Sequence, residues 1–74
     1  MSDQLLDLRE LPIGTVVEAL EDIEVPHVDA IISKGTHMTI SDFDPNNDQN
    51  EDVYVDVPDD WWWIAAHQPV RVVS

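Results

Sequence analysis

Val53-Tyr54-Val55-Asp56-Val57 alternates apolar and polar residues without a break, and this two-residue period is the tightest constraint on the fold. Neighbouring side chains on a strand point to opposite faces, so the segment reads as a strand with one face in a core. Pro58-Asp59-Asp60 turns it, and Trp61 to Ala66 returns as its hairpin partner. The same period starts at Ile13. Ile13, Val17, Ala19, Ile23 and Val25 share one parity; Glu18, Asp22 and Glu24 share the other with Val16 and Leu20. This predicts a half-buried strand from Gly14 to about Leu20, running into an irregular arm that Pro26-His27 interrupts. Val28 to Ile32 reads as a short return strand and Lys34-Gly35 as a turn. Thr36 to Phe43 is the next strand, with Met38 and Ile40 inward. Residues 44–52 form a polar loop. After a break at His67-Gln68-Pro69, Val70 to Val73 closes the chain.

Residues 3–11 read as a short helical turn or lead-in, with Ser2 or Asp3 as N-cap and Pro12 disfavouring helix at Leu11. So short a segment is marginal alone and must dock on the body. Seventy-four residues supply one core, hence a lead-in or short helix over 1–12 and a single small β-barrel domain over 13–74. There are no cysteines, so neither a disulfide nor a thiolate metal site can staple it. No apolar run approaches the roughly 18 residues of a membrane span. Met1-Ser2-Asp3-Gln4 does not begin a secretory signal, which needs a basic stretch and then an apolar one.

Five short strands in this order, with a long first arm and a tight third turn, resemble the SH3-like barrel over residues 13–73. The segment from Gly14 through Ala19-Leu20-Glu21-Asp22 matches its first strand, Lys34-Gly35-Thr36 the turn into the second, and His67-Gln68-Pro69 the short turn before the last. The resemblance implies an all-β fold, a small five-stranded SH3-like barrel with a short N-terminal helical segment. Peptide-binding SH3 domains carry an Ala-Leu-Tyr-Asp-Tyr pattern in the first strand, where this chain has Ala19-Leu20-Glu21-Asp22-Ile23. Their paired Trp follows the second loop, whereas Trp61-Trp62-Trp63 follows the next turn. A polyproline groove is therefore not supported. Leu11-Pro12-Ile13-Gly14-Thr15-Val16-Val17 with a later Trp run also resembles short β-proteins common in bacteriophages, which implies the cytoplasm of a host cell or a virion as the setting.

Sixteen Asp and Glu against three Lys and Arg leave a formal charge of −13. A small domain is ordinarily comfortable at a magnitude of about 2 to 8. Such a surface repels phosphate, which argues against direct binding to nucleic acid or an anionic membrane. Its natural counterpart is a basic protein surface or a cation. Two other readings compete: self-repulsion that keeps the protein soluble, and a salt-loving host, which the ratio of eleven Asp to five Glu would suit.

Specific chemistry has little to stand on. Asp42, Asp44, Asn46, Asp48, Asn50 and Asp52 alternate as in a calcium-binding EF-hand loop, which also needs Gly at position six and Glu at twelve. From Asp42 those positions are Asn47 and Val53; from Asp44 they are Gln49 and Val55, so the segment reads as a solvated connector. His27, His37 and His67 have no metal-ligand spacing. No phosphate loop or nucleophile motif appears, and the expectation is a non-enzyme without cofactor or metal.

The tryptophans carry more. Trp61 and Trp63 cannot share a strand face with Trp62, so at least one indole leaves the core side. Either Leu5, Leu6 and Leu8 of the lead-in cover it or it anchors a partner, and Asp59 and Asp60 beside it favour the second. Glu18, Asp22 and Glu24 would form a row with members roughly 6.6 Å apart on a strand. DNA phosphates advance about 3.4 Å per step, so such a row could stand in for alternate phosphates. The reading is a binding module that docks on a basic surface of a nucleic-acid-handling protein and inhibits it as a DNA mimic would. Glu18, Asp22, Glu24, Asp59 and Asp60 supply the field, and Trp62, within Trp61 to Trp63, the anchor. The alternative is a small structural or virion assembly protein, in which the Trp run forms a permanent contact between copies and the acids only face solvent.

Overall fold

The computed structural model describes residues 5–44, 46 and 51–74. The N-cap candidates Ser2 and Asp3, and Pro45, Asn47, Asp48, Gln49 and Asn50 of the polar loop, lie outside them. The described residues are all-β: β1 (Leu6–Asp7), β2 (Val16–Ala19), β3 (Ile23–Glu24), β4 (Ile31–Ile32), β5 (His37–Phe43), β6 (Val53–Val57), β7 (Asp60–Ile64), β8 (His67–Gln68) and β9 (Val70–Val72). Five of them make one antiparallel sheet in the order β7-β6-β5-β2-β9, and β1-β8 and β3-β4 form two-stranded ladders beside it. No ladder joins the edge strands β7 and β9, so the sheet is not closed into the barrel that the strand count suggests. No helix among the described residues is long and apolar enough to cross a membrane.

One face of the sheet is the core. Val17 and Ala19 of β2, Met38 and Ile40 of β5, Val53 and Val55 of β6, Ile64 of β7 and Val70 of β9 are buried, at alternate positions. A single sheet must have that face covered by something else. The arm supplies Ile23, Val25 and Ile32, and the lead-in supplies Leu8. Two turns hold the frame, each with a glycine third of four residues: Pro12–Thr15, where the Thr15 N–H donates to the Pro12 carbonyl, and Ser33–Thr36, where Thr36 donates to Ser33. Gly14 has φ +98° and Gly35 φ +89°, the left-handed region that a side chain would strain.

The strand β5 carries a bulge. Ile40 pairs with Val55 but Asp42 pairs with Tyr54, so Ser41 is an extra residue. Strict alternation would turn Asp42 inward with Met38 and Ile40. The bulge instead leaves Asp42 exposed and lets Phe43 pack against the core opposite Val53.

The lead-in differs from the helical segment expected over 3–11. Leu6 and Asp7 pair with Gln68 and His67, and only a three-residue 3-10 turn, Leu8–Glu10, follows. The reason is local. The Leu8 N–H donates to the Ala66 carbonyl at 2.8 Å, tying the backbone into a ladder before a helical turn can nucleate. Asp7 caps the 3-10 turn, its Oδ1 accepting the Arg9 N–H, and the Arg9 guanidinium grips both carboxylate oxygens at 3.0 Å. That grip holds the Asp7 carboxyl below the usual carboxylate range.

Two outcomes follow. Leu8→Ala removes a fully buried side chain and should cost about 2–4 kcal/mol, read as a drop in thermal midpoint of the order of 10 °C or more. The Asp7 carboxylate stabilises the fold above its unfolded pKa near 3.9, and this contribution is lost as pH falls through the lower folded value. Asp7→Asn should therefore be less stable than the parent at neutral pH, and melting curves of the two should converge as pH falls through the lowered folded value of Asp7.

Candidate functional site

The site is the outer face of β5, β6 and β7. A two-residue loop, Pro58-Asp59, joins β6 to β7, with Val57 paired to Asp60 as the closing pair. Neither loop residue has positive φ, so this is not the primed turn usual in two-residue hairpins. The register then opposes Asp56 to Trp61, Val55 to Trp62 and Tyr54 to Trp63. Directly opposed residues share a face. Val55 is fully buried, so Trp62 turns inward, where it is partly buried against the core. Trp61 and Trp63 turn outward with Tyr54 and Asp56.

The outward rings form a corner. Tyr54 stacks on Trp63, with centroids 5.2 Å apart and planes 22° from parallel, and meets Trp61 edge-on at 5.6 Å and 78°. Each such pair is worth about 0.5–1.5 kcal/mol beyond its area. Trp63 and Tyr54 are half-buried, but Trp61 remains 55% exposed. Tyr54 covers part of it and the rest is open.

Carboxylates line this corner. Asp56 lies opposite Trp61 and Asp42 opposite Tyr54, the latter brought to the outer face by the bulge at Ser41. The Ser41 hydroxyl donates to Asp56 Oδ2 at 2.6 Å and so orients that carboxylate. At the hairpin end, Asp59 is exposed and Asp60 Oδ1 accepts the Trp61 backbone N–H at 2.9 Å. The arginines are engaged elsewhere: Arg9 with Asp7, and Arg71 with Glu18 at 2.5 Å. Lys34 lies in the turn before β5, its backbone N–H held by Asp22 Oδ1 at 2.8 Å.

The residues predicted from sequence divide accordingly. Trp61 and Trp63 come together on this face, whereas Asp60, opposite the core-packed Val57, shares the side of Trp62, and Asp59 lies in the loop at the hairpin end. Trp62, the expected anchor, lies on the other side of the sheet. The acidic row is not formed along one strand, because β2 ends at Ala19. Glu18 is half-buried and ion-paired, Asp22 is committed to a turn, and Glu24 is exposed on β3. Tyr54, Asp56 and Asp42 were not among the predicted site residues; the alternation of Val53–Val57 already places the first two opposite the core.

His27, His37 and His67 sit on the arm, β5 and β8, and His67 Nε2 lies 3.7 Å from Asp7 Oδ2. Among the described residues no three His, Asp or Glu side chains gather to hold a metal ion. Of the residues with the calcium-like spacing, Asp48 and Asn50 lie outside the described set.

The faces can be told apart by stability. Trp62→Ala should lower the stability of the fold by about 2–4 kcal/mol, whereas Trp61→Ala, which loses mainly the edge contact with Tyr54, should lower it by no more than about 1.5 kcal/mol in denaturant melts.

No family model matches this chain, and no curated protein or solved structure is significantly similar to it.

Proposed function

We propose that this protein is a small acidic binding module that docks, through the outer face of β5–β7, on a basic surface of a nucleic-acid-handling protein. The observation that carries the reading is an indole 55% exposed beside outward carboxylates, in a chain whose formal charge is −13. Trp is enriched among residues that dominate binding energy, and its ring loses little conformational freedom on docking. The surrounding charge speeds encounter with a basic surface and rejects acidic ones. Basic surfaces of the required extent are typical of proteins that neutralise phosphate, and occupation by this chain would block them. In that sense it acts as a DNA mimic does, with the carboxylates of the β5–β7 face, not a row along β2, providing the negative potential.

The strand order β7-β6-β5-β2-β9, with the arm between β2 and β5, supports an open variant of the SH3-like arrangement. The arm and its first strand lack the aromatic pattern of peptide-binding SH3 domains, so the function is placed on the sheet and not on a polyproline groove. No catalytic role is proposed.

The test is capture from the source cell's lysate on the immobilised chain. Basic nucleic-acid-binding proteins should be retained in about 50 mM salt, released by about 500 mM, and displaced by added duplex DNA. Retention only of copies of the chain itself, or of partners indifferent to salt and DNA, would support an assembly protein instead and reject this reading.

A further inference from the structure

We infer that the exposed face of Trp61 receives an arginine side chain of the partner, its guanidinium lying flat on the indole and its edge directed at the Asp56 carboxylate. The inference rests on the docking function proposed above and specifies its chemistry. Three observations carry it. Tyr54 stands at 78° to Trp61 with centroids 5.6 Å apart, so one side of the indole is braced and its ring held in place. Asp56 is opposite Trp61 across the β6–β7 ladder, exposed, with Oδ2 fixed by the Ser41 hydroxyl at 2.6 Å. Both arginines of this chain are paired with carboxylates remote from Trp61, so no internal guanidinium fills the place.

An aromatic face with negative charge at its edge selects a cation. It prefers guanidinium to ammonium for two reasons. The guanidinium is planar and weakly hydrated, so it stacks on the ring at a smaller desolvation cost. Its fork of N–H donors reaches a carboxylate in the same plane while stacked, which a tetrahedral ammonium cannot do. A second copy of this chain is the poorer occupant, since each carries −13.

The test uses the full chain and two capped peptides of one sequence, an Arg-Gly repeat and its Lys-Gly counterpart, titrated in low salt and followed by calorimetry and Trp emission. The Arg peptide should bind about five- to thirty-fold tighter than the Lys peptide. Trp61→Ala should remove most of that preference by weakening the Arg peptide more than the Lys peptide, and Trp61→Phe should retain part of it. Asp56→Asn should weaken the Arg peptide more than the Lys peptide. Equal affinity for both peptides, unchanged by Trp61→Ala, would overturn the guanidinium site and leave a purely electrostatic docking face standing. Failure of both peptides to bind even in dilute buffer would overturn the docking function as well. A dimer of the unliganded chain, seen by sedimentation and lost in Trp61→Ala, would assign the face to a second copy and overturn the inference.

Discussion

The register of the β6–β7 hairpin decides which of three consecutive tryptophans meets solvent. Strand side chains alternate with a period of two, so a slip of one residue exchanges the two faces of a strand. With Pro58-Asp59 as a two-residue loop, Val55 faces Trp62 inside and Asp56 faces Trp61 outside. With a three-residue loop, Val55 would face Trp63, and Trp62 would stand outside opposite Asp56. In the observed register one indole, Trp62, packs against the core on the inner face, in line with the buried Ile64. The other register would place Trp61 and Trp63 there and leave Ile64 opposite Tyr54. Core packing and turn length therefore select the same pairing, and the exposed corner is its by-product.

That corner sits on an edge strand, which shapes what the charge does. β7 ends the sheet, and an aromatic edge is a template for pairing with another copy. Self-repulsion opposes such pairing. The carboxylates that keep copies apart are also those that face an incoming cation, so solubility and partner choice come from one property. Asp56 and Asp42 lie within the aromatic surface, where they interrupt what would otherwise be a continuous apolar strip.

Much of the architecture was legible in the sequence, and the failures are local. The period of two gave the all-β class, the inward Met38 and Ile40, and the burial of Val17, Ala19, Ile23 and Val25. Ile13, of the same parity, is exposed because it sits in the Pro12–Thr15 turn, where parity has no meaning. Within residues 5–11 the helical reading is met only by the Leu8–Glu10 turn, because two backbone pairs to β8 outcompeted a longer helix. His67-Gln68, read as a break, is the other half of that ladder. The bulge at Ser41 left no mark on the sequence, and it is what turns Asp42 outward. Alternation separates Trp62 from Trp61 and Trp63 but does not say which side is the core; the two-residue loop Pro58-Asp59, one residue shorter than the turn read from the sequence, settles that Trp62 is inward.

Salt separates the forces that act on this surface. Attraction to a basic partner and repulsion between copies both depend on charges screened over about 8–10 Å at physiological ionic strength. The contact of an indole with an apolar or planar group is much less affected by salt. As ionic strength rises, docking on a basic surface weakens through slower encounter, while the barrier to edge-to-edge pairing through β7 falls. A partner that offered charge alone would be lost smoothly with salt. One that also covers Trp61 would arrive more slowly yet leave at nearly the same rate, because the ring contact governs departure. The protein's selectivity thus lies in the conjunction of the two, a cation steered in by the field and retained by the ring.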